Sequence, residues 1–116
     1  MGHVVTKVIV RGRREYVGEL LVDIGASFTV LPLDLAEEIL YGTPFTVELR
    51  LGDGRKMKAK VFIGEIEIEG RKGPVRILAL PGAQPVLGVD TLETLGLKVD
   101  PTTGKLKKTE YYMLYV

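Results

Sequence analysis

Residues 46 to 63 constrain this chain more tightly than any other stretch. Thr46-Val47-Glu48-Leu49-Arg50-Leu51 alternates strictly, Gly52-Asp53-Gly54 follows, and Lys56 to Ile63 alternates back with its lysines on one side. A period of two sends successive side chains to opposite faces of a strand. The pair is therefore expected to form a long, solvent-facing hairpin with a glycine-flanked tip. The same punctuation recurs along the chain. His3 to Val10 turns at Gly12-Arg13 and returns as Glu15 to Val22, a hairpin that ends at Asp23. Glu65 to Glu69 and Val75 to Leu80 are joined by Gly70-Arg71-Lys72-Gly73, and Lys98-Val99-Asp100 and Lys105-Leu106-Lys107 flank the turn Pro101-Thr102-Thr103-Gly104. The β pattern fails in two places. Leu33 to Leu40 carries an apolar stripe (Leu35, Ile39, Leu40), with Asp34 and Glu37 at capping-box spacing and Gly42 as a stop. After Pro85-Val86-Leu87-Gly88-Val89, Asp90 and Glu93 repeat that spacing before Gly96. The expected class is all-β, mostly strand with two short helices.

The chain has 116 residues, which fits one domain spanning 1–116. Folding at this size buries roughly two-thirds of the extended surface, enough for one core and too little for a second lobe. Any site built from two equivalent halves must then draw on two chains. Sixteen basic and fifteen acidic side chains leave a net charge of +1, so no broad field favours nucleic acid or anionic lipid. The cluster Arg11 to Arg14, interrupted by Gly12, reads as a solvated turn. The absence of cysteine removes disulfides, thiolate metal sites and thiol nucleophiles, and the single His, at position 3, cannot build a His-based triad or a His-rich metal site. No metal or cofactor is expected. No apolar run approaches the roughly 18 to 20 residues of a membrane span, and the N-terminus lacks a signal-peptide core, so a soluble cytoplasmic protein is the expectation.

Asp23-Ile24-Gly25-Ala26-Ser27 lies between the apolar runs Gly18 to Val22 and Phe28 to Pro32. A carboxylate that ends a buried strand and is followed by glycine and small residues sits where a sharp loop displays it to a cleft. The bland alternative is a turn aspartate bonding its own backbone. By the same reasoning Asp34 and Asp90 read as helix caps and Asp100 as a turn residue. Strand, small turn and capped helix occur once from Leu20 to Leu40 and again from Pro85 to Leu95, a weak echo of the kind two similar halves would leave.

Leu21-Val22-Asp23-Ile24-Gly25-Ala26-Ser27, the glycine-tipped hairpin and Val86-Leu87-Gly88 before a short helix, in that order and spacing, together resemble a retropepsin-like aspartic protease. The likeness covers roughly residues 15 to 106. It implies an acid-protease barrel with one lobe per chain, working as a homodimer on an extended peptide or protein substrate. Asp23 would be the catalytic aspartate, facing its twin across the dimer axis. Gly25, Ala26 and Ser27 would form the loop floor, Gly52, Asp53 and Gly54 the flap tip, and Val86, Leu87 and Gly88 the support behind the loop. Val30, Leu31 and Ile63 are expected as apolar walls.

The chemistry suits that layout. Two carboxylates held a few ångströms apart cannot both ionise cheaply and titrate as a pair. The ionised member takes a proton from the attacking water and the protonated member donates to the scissile carbonyl. One residue departs from the pattern: the family places Thr or Ser after the aspartate, where its hydroxyl bonds across the axis, and here Ile24 stands instead. The lost hydrogen bonds are worth on the order of 1 kcal/mol each, which apolar contacts of Ile24 across the axis would offset. The long tail after Leu106 is a second departure, with Tyr111 to Val116 read as interchain sheet or core cover. The resulting expectation is a homodimeric aspartic endopeptidase. Its alternatives are a catalytically weak or inactive dimer of the same fold that binds peptide or serves assembly, and an unrelated small β-barrel binding domain.

Overall fold

The computed structural model describes residues 4–109. The tail from Tyr111 and the reading of His3 as a strand residue lie outside them. Strands β1 (Val4–Arg11) and β2 (Glu15–Val22) form the first hairpin, in register from Val4↔Val22 to Arg11↔Glu15. After the loop that follows Asp23 come β3 (Thr29–Pro32) and the helix α1 (Leu33–Ile39). The long hairpin is β4 (Tyr41–Arg50) with β5 (Lys56–Ile68), and β6 (Arg71–Leu80) returns alongside β5. A two-residue strand β7 (Val86–Leu87) leads into α2 (Val89–Leu95). Finally β8 (Leu97–Val99) and β9 (Leu106–Lys108) make a separate two-stranded ribbon.

The large sheet runs β1-β2-β7-β3-β6-β5-β4, and a further pairing of β1 with β5 curls it into a barrel. The mostly-β class with two short helices is what the alternation predicts. Inside, Val8, Val10, Leu20, Leu31, Ile66 and Ile77 lose all or nearly all contact with water, and both helices press Ala36, Ile39, Leu92 and Leu95 onto them. A smaller cluster, Ala59, Val61, Leu78 and Leu80, lies under the β4–β5 hairpin.

Three local expectations are corrected. Lys56 to Ile68 is one strand, not two, because Gly64 continues it: a Cβ there would sit 2.8 Å from the Arg11 carbonyl oxygen and 2.5 Å from a Leu40 methyl, so glycine is what lets β1 close against β5. The helix α1 stops at Leu40, whose backbone turns extended, and Gly42 lies within β4. Neither Asp34 nor Asp90 is a cap; the N-caps are Pro32 and Gly88, with no side-chain capping bond at either end. The stop at Gly96 is as expected, in the left-handed conformation at φ 67°.

Candidate active site

The chain between β2 and β3 leaves the sheet, turns, and comes back with β7 filling the gap. β7 runs parallel to β2 (Leu21↔Val86, Val22↔Leu87) and antiparallel to β3 (Val30↔Val86). Asp23 is thus fixed at the end of β2, where its own N–H still donates to the Leu87 carbonyl at 3.1 Å. Beyond it the backbone turns sharply: Ala26 N–H donates to the Asp23 carbonyl at 3.0 Å, and Gly25 N–H donates to Asp23 Oδ1 at 2.8 Å. The carboxylate itself is exposed, and Ile24 beside it keeps 68% of its surface in solvent.

A dense set of hydrogen bonds holds this loop from behind. Val89 N–H donates to Ala26 O at 2.9 Å and Asp90 N–H to Ser27 O at 3.2 Å, so the loop's carbonyls satisfy the first free amides of α2. The helix then has no need of a side-chain cap. Asp90 is freed to reach back, and its Oδ1 accepts from Thr29 N–H at 3.2 Å and from Thr91 N–H at 2.7 Å. Below it the fully buried hydroxyls of Thr29 and Thr91 bond each other at 2.6 Å, and Gly88 N–H donates to Thr29 Oγ1 at 3.0 Å. Gly88 admits no side chain, since a Cβ would lie 2.3 Å from the Phe28 carbonyl carbon. Burial pushes the Asp90 carboxyl above its ordinary value, against the opposing pull of its two amide bonds and of Arg76.

In front of the loop lies a cleft of about 730 Å³. It brings together Asp23, Gly25, Ala26, Ser27 and Val30 on one side and Gly52 with the adjoining hairpin from Glu48 to Leu51 on the other. Val86 lines it too, whereas Leu87 and Gly88 are buried behind the loop. Asp53 and Gly54 are exposed at the hairpin tip, beyond the lining residues, where Asp53 accepts from Arg55 N–H at 3.0 Å and Gly54 takes φ 90°. Two expected walls are elsewhere: Leu31 belongs wholly to the main core, and Ile63 is 48% exposed opposite Tyr41. Strand parity explains the first, and distance along the strand the second. Leu31 is one step from Val30 and points to the other face, and Ile63 is two steps past Val61 along β5, beyond the cleft.

The sequence reading passed over Phe28, Leu49, Leu51, Leu80, Ala83 and Gln84, which also line the cleft. Leu49 and Leu51 were legible as the face opposite the lysines; Leu80, Ala83 and Gln84 arrive through the nonlocal pairing of β3 with β6. Nor did it find the Thr29–Thr91 bond, whose signal was a pair of polar residues inside otherwise apolar runs. Among the described residues no group of three or more His, Cys, Asp or Glu is placed to hold a metal ion, and no helix is long and apolar enough to cross a membrane.

No curated protein matches the chain. A family model described as aspartyl protease matches residues 6–91, a span holding the loop of Asp23, the hairpin above it and the first turn of α2. With well over half of its length matched, the chain belongs to the aspartyl protease family, in keeping with the retropepsin-like resemblance.

Proposed function

We propose that the chain is a homodimeric aspartic endopeptidase in which one Asp23 from each copy forms the catalytic pair. The observation that carries this is an exposed carboxylate, fixed by backbone bonds at the end of β2, facing a cleft long enough to be walled by both the loop and the hairpin. One lobe offers one such carboxylate. Hydrolysis through an activated water needs an acid and a base at once, and a second copy related by a twofold axis supplies the other. Of the two, the ionised carboxylate takes the water's proton and the protonated one donates to the carbonyl oxygen. Substrate lies extended between floor and flap, pairing through its backbone as an added strand. Phe28, Val30, Leu49, Leu51, Leu80 and Val86 give the cleft its apolar walls. Gly52 to Gly54 act as the flap tip, where glycines permit the backbone to hinge.

Ile24 favours a second reading, a dimer of the same fold that binds peptide without efficient cleavage, because it cannot supply the cross-axis hydroxyl bond that Thr or Ser would make. Family membership removes the unrelated β-barrel reading. The deciding measurement is cleavage of unfolded casein between pH 4 and 7, with and without pepstatin. Asp23→Asn is expected to abolish cleavage, at least a hundredfold, while sedimentation shows the dimer unchanged. Cleavage that persists in that variant would refute the catalytic assignment, and no cleavage by the wild-type protein at any pH selects the second reading.

A further inference from the structure

Phe28 marks the place where the cleft meets the outer face of the sheet. It lines the cleft and packs against the smaller core cluster. Over its ring lies the guanidinium of Arg76, 4.8 Å from the centroid. The topology dictates this meeting. β3 and β6 run parallel with Thr29 beside Ile77, so Phe28 and Arg76, each one residue earlier, stand side by side. Along β6, Val75, Ile77 and Ala79 turn into the main core, which leaves Arg76 on the face that also carries Leu78 and Leu80 beneath the hairpin. Leu80 is itself a cleft residue. Arg76 therefore places a positive charge just outside the lining residues of the cleft, against the ring of Phe28.

No ion pair within 4 Å engages that charge among the described residues. Asp90 feels its field, but its Oδ1 is engaged by the amides of Thr29 and Thr91 and it forms no ion pair with Arg76 among the described residues. Across the cleft, Glu48 is answered by Lys56 at 3.9 Å, while Arg50, like Arg76, enters no ion pair among the described residues. Apart from Asp23, the unmatched charge around the cleft is thus cationic.

We propose that Arg76, held against the ring of Phe28, forms with it a specificity subsite at one end of the cleft that takes an acidic side chain of an extended peptide. The inference rests on the reading of the cleft as a peptide site. A glutamate suits it best: its methylenes lie against Phe28, and its carboxylate meets the planar fork of the guanidinium through paired N–H···O bonds. Stacking on the ring holds the arginine in place beforehand, which lowers the ordering cost that weakens most exposed ion pairs.

The test uses fluorescein-labelled ten-residue peptides with an apolar central pair and Glu, Gln or Lys moved through the flanking positions. Cleavage is followed with the wild-type protein, and binding by anisotropy with Asp23→Asn. At one flanking position Glu is expected to exceed Gln by roughly fivefold in kcat/KM and in affinity, and Lys to fall below both. Arg76→Gln erases that preference, whereas Arg76→Lys keeps part of it; circular dichroism checks that both variants fold. The proposal is overturned if no position favours Glu, or if Arg76→Gln leaves the preference intact. Arg76-dependent binding to Asp23→Asn with no cleavage by the wild type would uphold the subsite and reject the protease reading. Cleavage without acid preference would do the reverse, and neither binding nor cleavage of any peptide would reject both.

Discussion

Asp90 shows how much of the loop's geometry depends on a residue that never faces the cleft's reacting end. Its Oδ1 is the acceptor for the amide of Thr29, a residue with no solvent contact, and for that of Thr91. Asp90→Ala removes the acceptor and leaves a buried N–H unsatisfied, a loss of about 1 to 3 kcal/mol. Asp90→Asn keeps an acceptor oxygen and removes only the charge. The two variants therefore separate geometry from ionisation. Because burial raises the Asp90 carboxyl above its ordinary 3.8, the folded protein binds this proton more tightly than the unfolded chain does. The stability from this group is present at acid pH and declines as pH rises from near 3.8 through the folded-state value. Urea unfolding at pH 3 and pH 6 is expected to show Asp90→Asn gaining on the wild type as pH rises, with Asp90→Ala below both at pH 6. Equal shifts for Asn and Ala would mean that the amide bonds of Asp90 contribute nothing.

Among the elements, the β5–β6 hairpin carries the clearest backbone cost. Ile68 pairs with Arg71, so its loop is only Glu69-Gly70, and both residues have positive φ, 51° and 82°. Two successive left-handed residues make the turn whose twist matches the strands, and Asn-Gly is its favoured sequence. Glutamate lacks the short side chain that eases the left-handed region. Glu69→Asn is expected to stabilise the protein by about 0.5 to 1 kcal/mol and raise the melting temperature by roughly 2 to 6 °C. An unchanged or lower midpoint would show that the turn stores no such strain. Such local features divide what the sequence disclosed from what it hid. Alternation revealed the hairpins, an apolar stripe the first helix, and the spacing of Asp90 and Glu93 with the Gly96 stop the second, because these signals lie within a few residues of each other. Gly64 looked like a break because nothing local says that Arg11 and Leu40 will crowd it. Asp34 and Asp90 looked like caps because spacing alone cannot tell that the carbonyls of Ala26 and Ser27 already serve α2, or that Asp34 Oδ1 accepts from its neighbour Leu35. Asp23 was legible as a displayed acid, whereas most of the cleft's far wall waited on the pairing of β3 with β6.

For the whole molecule, the proposed mechanism requires a second carboxylate from a second copy, and Ile24 is the residue on which that requirement is tested. It sits next to Asp23 with 68% of its surface in solvent, and a shallow hollow of about 340 Å³ beside it is lined by Val89, Asp90 and Glu93. An aliphatic side chain held out on a rigid loop gains about 1.5 to 3 kcal/mol when fully covered, and a twofold contact covers it twice. That gain is smaller than the 4 to 15 kcal/mol estimated for lost freedom on association, so other surface must contribute and the dimer should be concentration-dependent. Ile24→Glu removes both apolar contacts and sets two like charges near the axis, beside the acids already there. It is expected to weaken association by at least about 3 kcal/mol, roughly a hundredfold or more in Kd. Sedimentation equilibrium measures that shift, and circular dichroism confirms that the lobe still folds, since Ile24 takes no part in its core. Specific activity of the wild type is expected to rise with protein concentration and then level off, with the rise in Ile24→Glu moved to correspondingly higher concentration. A monomer of constant specific activity, or an Ile24→Glu variant that associates like the wild type, would remove the shared axis from the mechanism and leave Asp23 to act alone.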